Sequence, residues 1–340
     1  TSTPRKRIVL QREVKRNPSF IHTSLFNDYF FETCVGCGLC ESMCPVNINT
    51  GNFVKAIKDQ KHSNLANRIA QWTVRNFSLI EKFISNQFNI LFVLFKLFPF
   101  MNQLQIILHK LFKNPVYHYK HIKGTSYNNF IKKYNKKDLK KIDYYYFPTC
   151  ISRSLKIPHF LELFYLIPKI GEAFNLNIQV IDTSGYCCSQ PYESKGFFIA
   201  QSEMKNKTLS LLDKLNSEIP IIVDNTSCTY AFRINQEYHD FKIMDSIEWI
   251  YELIKKHPEK FKKIYKNIYI QNICSLQKTG LTDKLKEVLW AISDNVEVSP
   301  FSECCGFAGD KGIFVPEVLL SSTENIKKRI ENKAFDAYCS

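Results

Sequence analysis

The chain has 340 residues, 45% hydrophobic and 23% charged, enough for two or three modest domains with real cores. Its 46 Lys and Arg against 32 Asp and Glu give a formal charge of +14. Twelve cysteines in so long a chain, grouped in tight clusters and doublets, argue against a secreted disulfide scaffold and for metal. No apolar stretch of signal-peptide type follows Arg5, Lys6 and Arg7.

Residues 1–28 read as a polar arm with a short helical stretch near residues 12–16. Residues 29–120 read as a helical domain opening on Cys34, Cys37, Cys40 and Cys44, spaced C-x2-C-x2-C-x3-C and followed by Pro45. This is the bacterial ferredoxin pattern for a [4Fe–4S] cube. Two-residue gaps let three thiolates fold round one small inorganic core. Gly36 and Gly38 let the backbone come close, and Pro45 stops the turn from continuing. A zinc knuckle competes with this reading, but zinc ribbons pair C-x2-C units that lie far apart and often use His. Iron–sulfur ligation needs reduced thiolates, so a cytosolic location is expected.

Within this domain residues 83–95 carry no charge, Lys96 interrupts, and residues 97–109 are uncharged again with Pro99 inside. Neither run reaches the ~20 apolar residues that span a bilayer. A buried helical hairpin is expected. The alternative is an interfacial helix peripheral to the inner face of the cell membrane, through Phe92, Leu94, Phe95, Leu97, Phe98 and Phe100. Residues 114–141, rich in Tyr, Asn and Lys, read as a linker. Their lysines (Lys132, Lys133, Lys136, Lys137, Lys140, Lys141), and a second block from Lys255 to Lys266, read as solvated faces. Docking to anionic headgroups or an acidic redox partner is the functional alternative; no nucleic-acid motif accompanies them.

From residue 142 short β-rich runs (142–147, 178–181, 219–223) alternate with helical segments (159–174, 202–215, 246–256), the pattern of an α/β layer with largely parallel strands. Two cysteine sets recur there in one order: Cys150, the doublet Cys187–Cys188 and Cys228, then Cys274, the doublet Cys304–Cys305 and Cys339. The first cysteine of each set ends a strand-like run, and the doublets follow residues 178–181 and 296–298. Such a repeat implies duplication into two pseudo-symmetric lobes, residues 142–258 and 264–340. Loops beyond the ends of parallel strands form the binding crevice, so the two sets would aim thiolates into a shared cleft as a second iron–sulfur or metal site. The Gly306–Gly312 run lacks the order of a phosphate loop; its glycines suit close backbone approach to a cluster. The histidines fall where core or surface positions suit them better than ligation, and Asp310 suits a turn-stabilising role.

Three segments carry a family resemblance: Thr3-Pro4-Arg5-Lys6-Arg7-Ile8-Val9-Leu10-Gln11-Arg12-Glu13; Cys37-Gly38-Leu39-Cys40 with Cys44-Pro45-Val46-Asn47-Ile48-Asn49-Thr50-Gly51; and Cys304-Cys305-Gly306-Phe307-Ala308-Gly309-Asp310-Lys311-Gly312. Together they resemble the C-terminal iron–sulfur part of FAD-linked D-lactate dehydrogenases, over nearly the whole chain. The resemblance implies a helical ferredoxin-like 4Fe-4S domain followed by two pseudo-repeated α/β cysteine-rich (CCG) lobes, the second truncated. It also implies an oxidoreductase role: FAD on a domain outside this chain takes electrons from a 2-hydroxy acid, and this part passes them to a quinone or cytochrome. The two-repeat plan is similar to glycolate-oxidase and heterodisulfide-reductase-like subunits as well. Ser189 stands where the family has glycine after the doublet, and Asn225 where the family has a further cysteine before Cys228. A zinc-stabilised interaction module is the non-enzymatic alternative.

Overall fold

The computed structural model describes residues 3–19, 34, 36–42, 44–112, 122–134, 141–157, 160–300, 305–306, 312, 315–331 and 333–339. It opens with helices. α1 (Pro4–Arg16) starts at Thr3, whose hydroxyl accepts the Lys6 N–H. Then come α2 (Leu39–Ser42), α3 (Thr50–Lys61) and α4 (Asn64–Arg75), the last two capped by the side chains of Asn49 and Ser63. α5 (Phe77–Leu97) and α6 (Phe100–Phe112) follow, with a 115° bend between them at the Phe98-Pro99 break.

The next elements are β1 (Lys123–Gly124), α7 (Tyr127–Tyr134), β2 (Tyr144–Phe147), α8 (Cys150–Ser154), β3 (Leu155–Lys156), α9 (Leu163–Ala173), β4 (Ile178–Val180), α10 (Gln190–Lys195), α11 (Phe198–Leu212), β5 (Ile221–Val223), α12 (Thr226–Ile234), β6 (Ile243–Asp245) and α13 (Ser246–Lys256). β4, β2, β5 and β6 form a wholly parallel sheet in that order. Both faces are covered, which is why the inner strands β2 and β5 read as unbroken apolar or aromatic runs, while the edge strands β4 and β6 carry Gln179 and Asp245. Tyr145, Phe147, Ile221 and Val223 face one core with Ala70 and Val74 of α4 and Met204 of α11. Tyr146, Ile178, Val180 and Ile222 face the other with Phe164, Trp249 and Leu253.

The chain closes with β7 (Tyr265–Ile270), α14 (Cys274–Thr279), α15 (Thr282–Trp290), β8 (Ser293–Val298), α16 (Pro316–Ile330) and β9 (Ala337–Cys339). β8, β7 and β9 form a second parallel sheet. In each sheet the first strand in sequence is flanked by the second on one side and the third on the other. The described chain is thus a helical domain followed by mixed helix and sheet.

Two expectations change. The described part of the 114–141 stretch is not a linker. Tyr127, Phe130, Ile131 and Tyr134 fall at i, i+3, i+4 and i+7 on α7, and the first three are buried against the first sheet. The apolar pair α5–α6 is not a buried hairpin either. α5 turns Glu81, Ser85 and Phe95 inward and leaves Leu79, Phe83, Ile90, Val93 and Leu97 exposed.

The inward polar face is held by a buried ion pair. Arg153 of α8 donates to Glu81, and also to Pro148 O (2.6 Å), Thr183 Oγ1 (2.6 Å) and Tyr186 O (2.8 Å). The second Glu81 oxygen accepts the Gly185 N–H at 2.9 Å. Burial lifts the Glu81 carboxyl above its ordinary value, and the Arg153 charge offsets part of that lift. A turn further on, Gly124 lies so close to α5 that a Cβ would meet Ser85 O at 2.0 Å. Removing one partner of a buried pair strands the other charge, so Glu81→Gln is expected to cost about 3–5 kcal/mol in urea unfolding. Adding Arg153→Met should recover much of the loss. A single variant within 1 kcal/mol of wild type, on the order of a surface change, would show that the pair does not hold the two parts together.

Candidate iron–sulfur and thiol centre

The four-cysteine motif is a loop laid over α1 and α3. Cys34 is buried with Val54 and Ile57 of α3, and Leu10 and Val14 of α1 pack against the same cluster. Gly36 (φ 63°) and Gly38 (φ 71°) take the left-handed conformation that lets the loop turn twice within five residues. Cys40 lies on α2 with its Sγ 3.2 Å from Thr50 Oγ1, and Asn49 Nδ2 donates to Glu41 at 2.7 Å, closing the loop onto α3. At Cys44 the backbone N–H groups of Ile48 and then Val46, helped by Asn47, hold the thiol below its ordinary pKa against a small opposing effect of burial. Such a ring of N–H donors stabilises negative sulfur.

Two lysines flank this loop. The Lys55 ammonium is 2.6 Å from Glu193 of α10, and its stem lies 3.5 Å from where a Gly36 Cβ would stand. The Lys278 ammonium of α14 lies 2.5 Å from the Cβ position of Gly38 and 4.8 Å from the Tyr230 ring centroid. Among the described residues no three His, Cys, Asp or Glu side chains close on one metal ion. A cube is less demanding in that respect, because its four thiolates each take a separate iron corner. Four thiols on a glycine-turned loop, N–H groups aimed at one sulfur and the Lys278 ammonium against Gly38 fit an anionic [4Fe–4S] group. Cys34, Cys37, Cys40 and Cys44 would hold it.

In the first α/β part the parallel strands bring all four cysteines of the first set together. Cys150 is the first residue of α8 after β2, Cys187 and Cys188 lie between β4 and α10, and Cys228 lies in the first turn of α12 after β5. Cys150 Sγ is 3.7 Å from Cys187 Sγ, Cys187 and Cys188 are neighbours in the chain, and Cys188 Sγ is 3.2 Å from Cys228 Sγ, all four thiols being free. The result is a string of four sulfurs, three of them buried. The bond to Cys187, together with burial, lifts the Cys150 thiol well above its ordinary value. Cys187 is drawn down by Cys150 but lifted more by Cys188 and burial. Cys188 is drawn down by Cys187 and lifted more by Cys228 and burial. For Cys228 the bond to Cys188 is the largest single effect and draws the thiol down, but burial, Cys150, Cys187 and Asp224 together lift it further. Behind the string, Asp224 accepts from the Tyr146 hydroxyl (2.5 Å) and the Thr149 N–H (3.1 Å), pinning the turn that presents Cys150.

The second set is placed differently. Cys274 is the first residue of α14 after β7, the position Cys150 holds after β2. Burial pushes its thiol up to about 11, and the nearby Cys37 and Cys305 add to the rise. The helix that carries Cys274 therefore reaches the ferredoxin-type loop through Lys278, which lies against Gly38, and Cys274 is within electrostatic range of Cys37. Cys339 pairs in register with Ile270 and packs against the second core, where burial raises its thiol. Cys304, Asp310, His118, His121 and His159 lie outside the described residues.

Sequence reasoning missed Lys55, Lys278, Glu81 and Arg153. No local pattern marks the lysines. Glu81 did carry a signal, because it is the last acidic residue before Asp138 and sits in an apolar helix, where a carboxylate needs a buried partner.

Two expectations can be measured. Ser189 holds φ 69°, the left-handed conformation that glycine takes freely, so Ser189→Gly should stabilise the chain by about 1 kcal/mol in urea unfolding; a destabilised variant would show that the side chain's packing matters more than its backbone. In the metal-free chain, a lowered thiol pKa means more reactive thiolate at a given pH. As pH is raised, iodoacetamide should therefore label Cys44 before Cys150, Cys187 or Cys188, as read by mass spectrometry.

Residues 28–48, which contain the four-cysteine motif, match the family model described as a 4Fe-4S binding domain. Comparison of the chain with curated proteins and with solved structures gives no match. The domain match supports an iron–sulfur protein with an electron-transfer or oxidoreductase role.

Proposed function

We propose that this chain is the electron-relay part of a flavin-linked D-lactate (2-hydroxy acid) dehydrogenase, taking electrons from FAD on a partner domain or subunit and passing them to a quinone or cytochrome. The observation that carries the reading is positional. Two parallel sheets of like strand order each present a cysteine at the start of the helix that follows their first strand, Cys150 and Cys274, and the helix of Cys274 reaches Gly38 of the 4Fe-4S motif through Lys278. Such an arrangement suits a CCG-type pair of lobes flanking a cluster domain. When bound, a [4Fe–4S] group supplies one-electron oxidation and reduction. The chain's own residues do the rest. The four motif thiols hold the group, and N–H donors at Val46, Asn47 and Ile48 favour the anionic form of Cys44. Lys278 places positive charge against the loop, Lys55 lays its stem along Gly36 while its ammonium is paired with Glu193, and the helical packing excludes water from Cys34.

A second reading is favoured by one distance. With Cys188 and Cys228 sulfurs 3.2 Å apart, the first lobe is suited to dithiol chemistry of the heterodisulfide-reductase-like kind. In that case Cys228→Ser would remove a two-electron thiol titration and leave the iron of the N-terminal motif unchanged.

Anaerobic reconstitution with iron and sulfide tests the main reading. The expected outcome is broad visible absorbance bleached by dithionite and a paramagnetic signal on reduction, and Cys37→Ser should lose about four irons per chain. The reconstituted chain should also be reduced by D-lactate only when an FAD-containing 2-hydroxy-acid dehydrogenase domain is added. Zinc without acid-labile sulfide would instead identify a structural interaction module.

A further inference from the structure

We propose that the outer face of the α5–α6 elbow docks on an anionic membrane surface. The helix is inside out for a protein in water. Its polar residues Glu81 and Ser85 point inward to Arg153 and Thr125, while one outward stripe carries Phe83 (64% exposed), Ile90 (57%), Val93 (50%) and Leu97 (65%). These positions, at spacings of three, four and seven, lie on one side of the helix, opposite the ion pair. α6 continues the surface with Ile107 (53%) and Leu111 (68%). An apolar patch of this extent on a soluble monomer marks an interaction site.

Charge selects the occupant. Residues 82–137 contain ten lysines and no Asp, Glu or Arg. Lys82, Lys96 and Lys110 are exposed on the elbow itself, and Lys132 and Lys133 are exposed on α7 beyond it. An apolar stripe edged by lysines, in a stretch of chain without Asp or Glu, suits a surface of anionic headgroups over acyl chains. Among the described residues no single helix is long and apolar enough to cross a membrane, and α5 with the first part of α6 qualifies only as a pair bent by 115°. With its polar face pinned to the protein by Glu81, α5 can offer lipid only its outer side. It therefore lies along the surface. A second copy of the chain would bring the same lysines face to face, which disfavours self-association through this patch.

The full chain can be sedimented with vesicles of phosphatidylcholine and phosphatidylglycerol in equal parts, and with pure phosphatidylcholine. Binding to the anionic vesicles is expected to be at least about tenfold tighter and to weaken with salt. Ile90→Glu with Leu97→Glu should abolish it with an unchanged urea midpoint, because neither side chain packs in the core. Lys96→Gln with Lys110→Gln, which leaves the apolar stripe intact, should weaken anionic binding about tenfold. Equal partitioning of the wild type and the double glutamate variant would overturn the proposal. So would a wild-type dimer in light scattering that the glutamates convert to monomer with neither protein reaching the vesicles, which would identify a second copy as the cover. Retention of an accessory protein by the patch without any vesicle binding would overturn it too.

Discussion

The Arg153–Glu81 ion pair is the contact on which the rest of the arrangement depends. It joins a helix of the N-terminal domain to the first helix after the central strand of the first sheet, three residues from Cys150. Burying two opposite charges is expensive unless their remaining hydrogen bonds are met. Here Pro148 O, Thr183, Tyr186 O and the Gly185 N–H meet most of them. Those partners belong to the turns after β2 and β4, the same turns that carry Cys150 and the Cys187–Cys188 doublet. The pair thus sets the rotation of α5 about its own axis and stiffens the crevice where the thiols meet.

The thiol placement follows from strand direction. When neighbouring strands run parallel, all their C-terminal ends open on one edge of the sheet, and residues just past those ends are brought within a few ångströms whatever their separation along the chain. Cys150, Cys187, Cys188 and Cys228 are gathered this way into one string. The bonds among the sulfurs and their burial together raise these thiols above their ordinary value, whereas the N–H groups round Cys44 lower its thiol. One chain therefore holds two sulfur environments: a dry, proton-retaining string and a motif loop edged by donors and cations.

The parallel sheet was legible because strands covered on both faces have to be apolar throughout; Tyr144–Phe147 and Ile221–Val223 advertise themselves. The segment of α7 was missed because its lysines and asparagines masked a helical stripe of Tyr127, Phe130, Ile131 and Tyr134. The α5–α6 pair was misjudged for a different reason. Apolar composition predicts burial only when the fold has a cover to offer, and the Glu81 partner turned the apolar side away from the protein.

What the amino-acid order determined by itself was local chemistry. Cysteine spacing, two glycines and a proline specify a cluster-binding loop within a dozen residues, since ligation of a small inorganic core is a short-range constraint. Alternating apolar runs likewise specify parallel α/β layers. The tertiary structure alone decided which distant groups meet that loop. Lys278 against Gly38, Lys55 on Glu193 and Glu81 under Arg153 join residues far apart in the chain, and contacts of that range depend on how helices and sheets pack. No periodicity in the residue order records them.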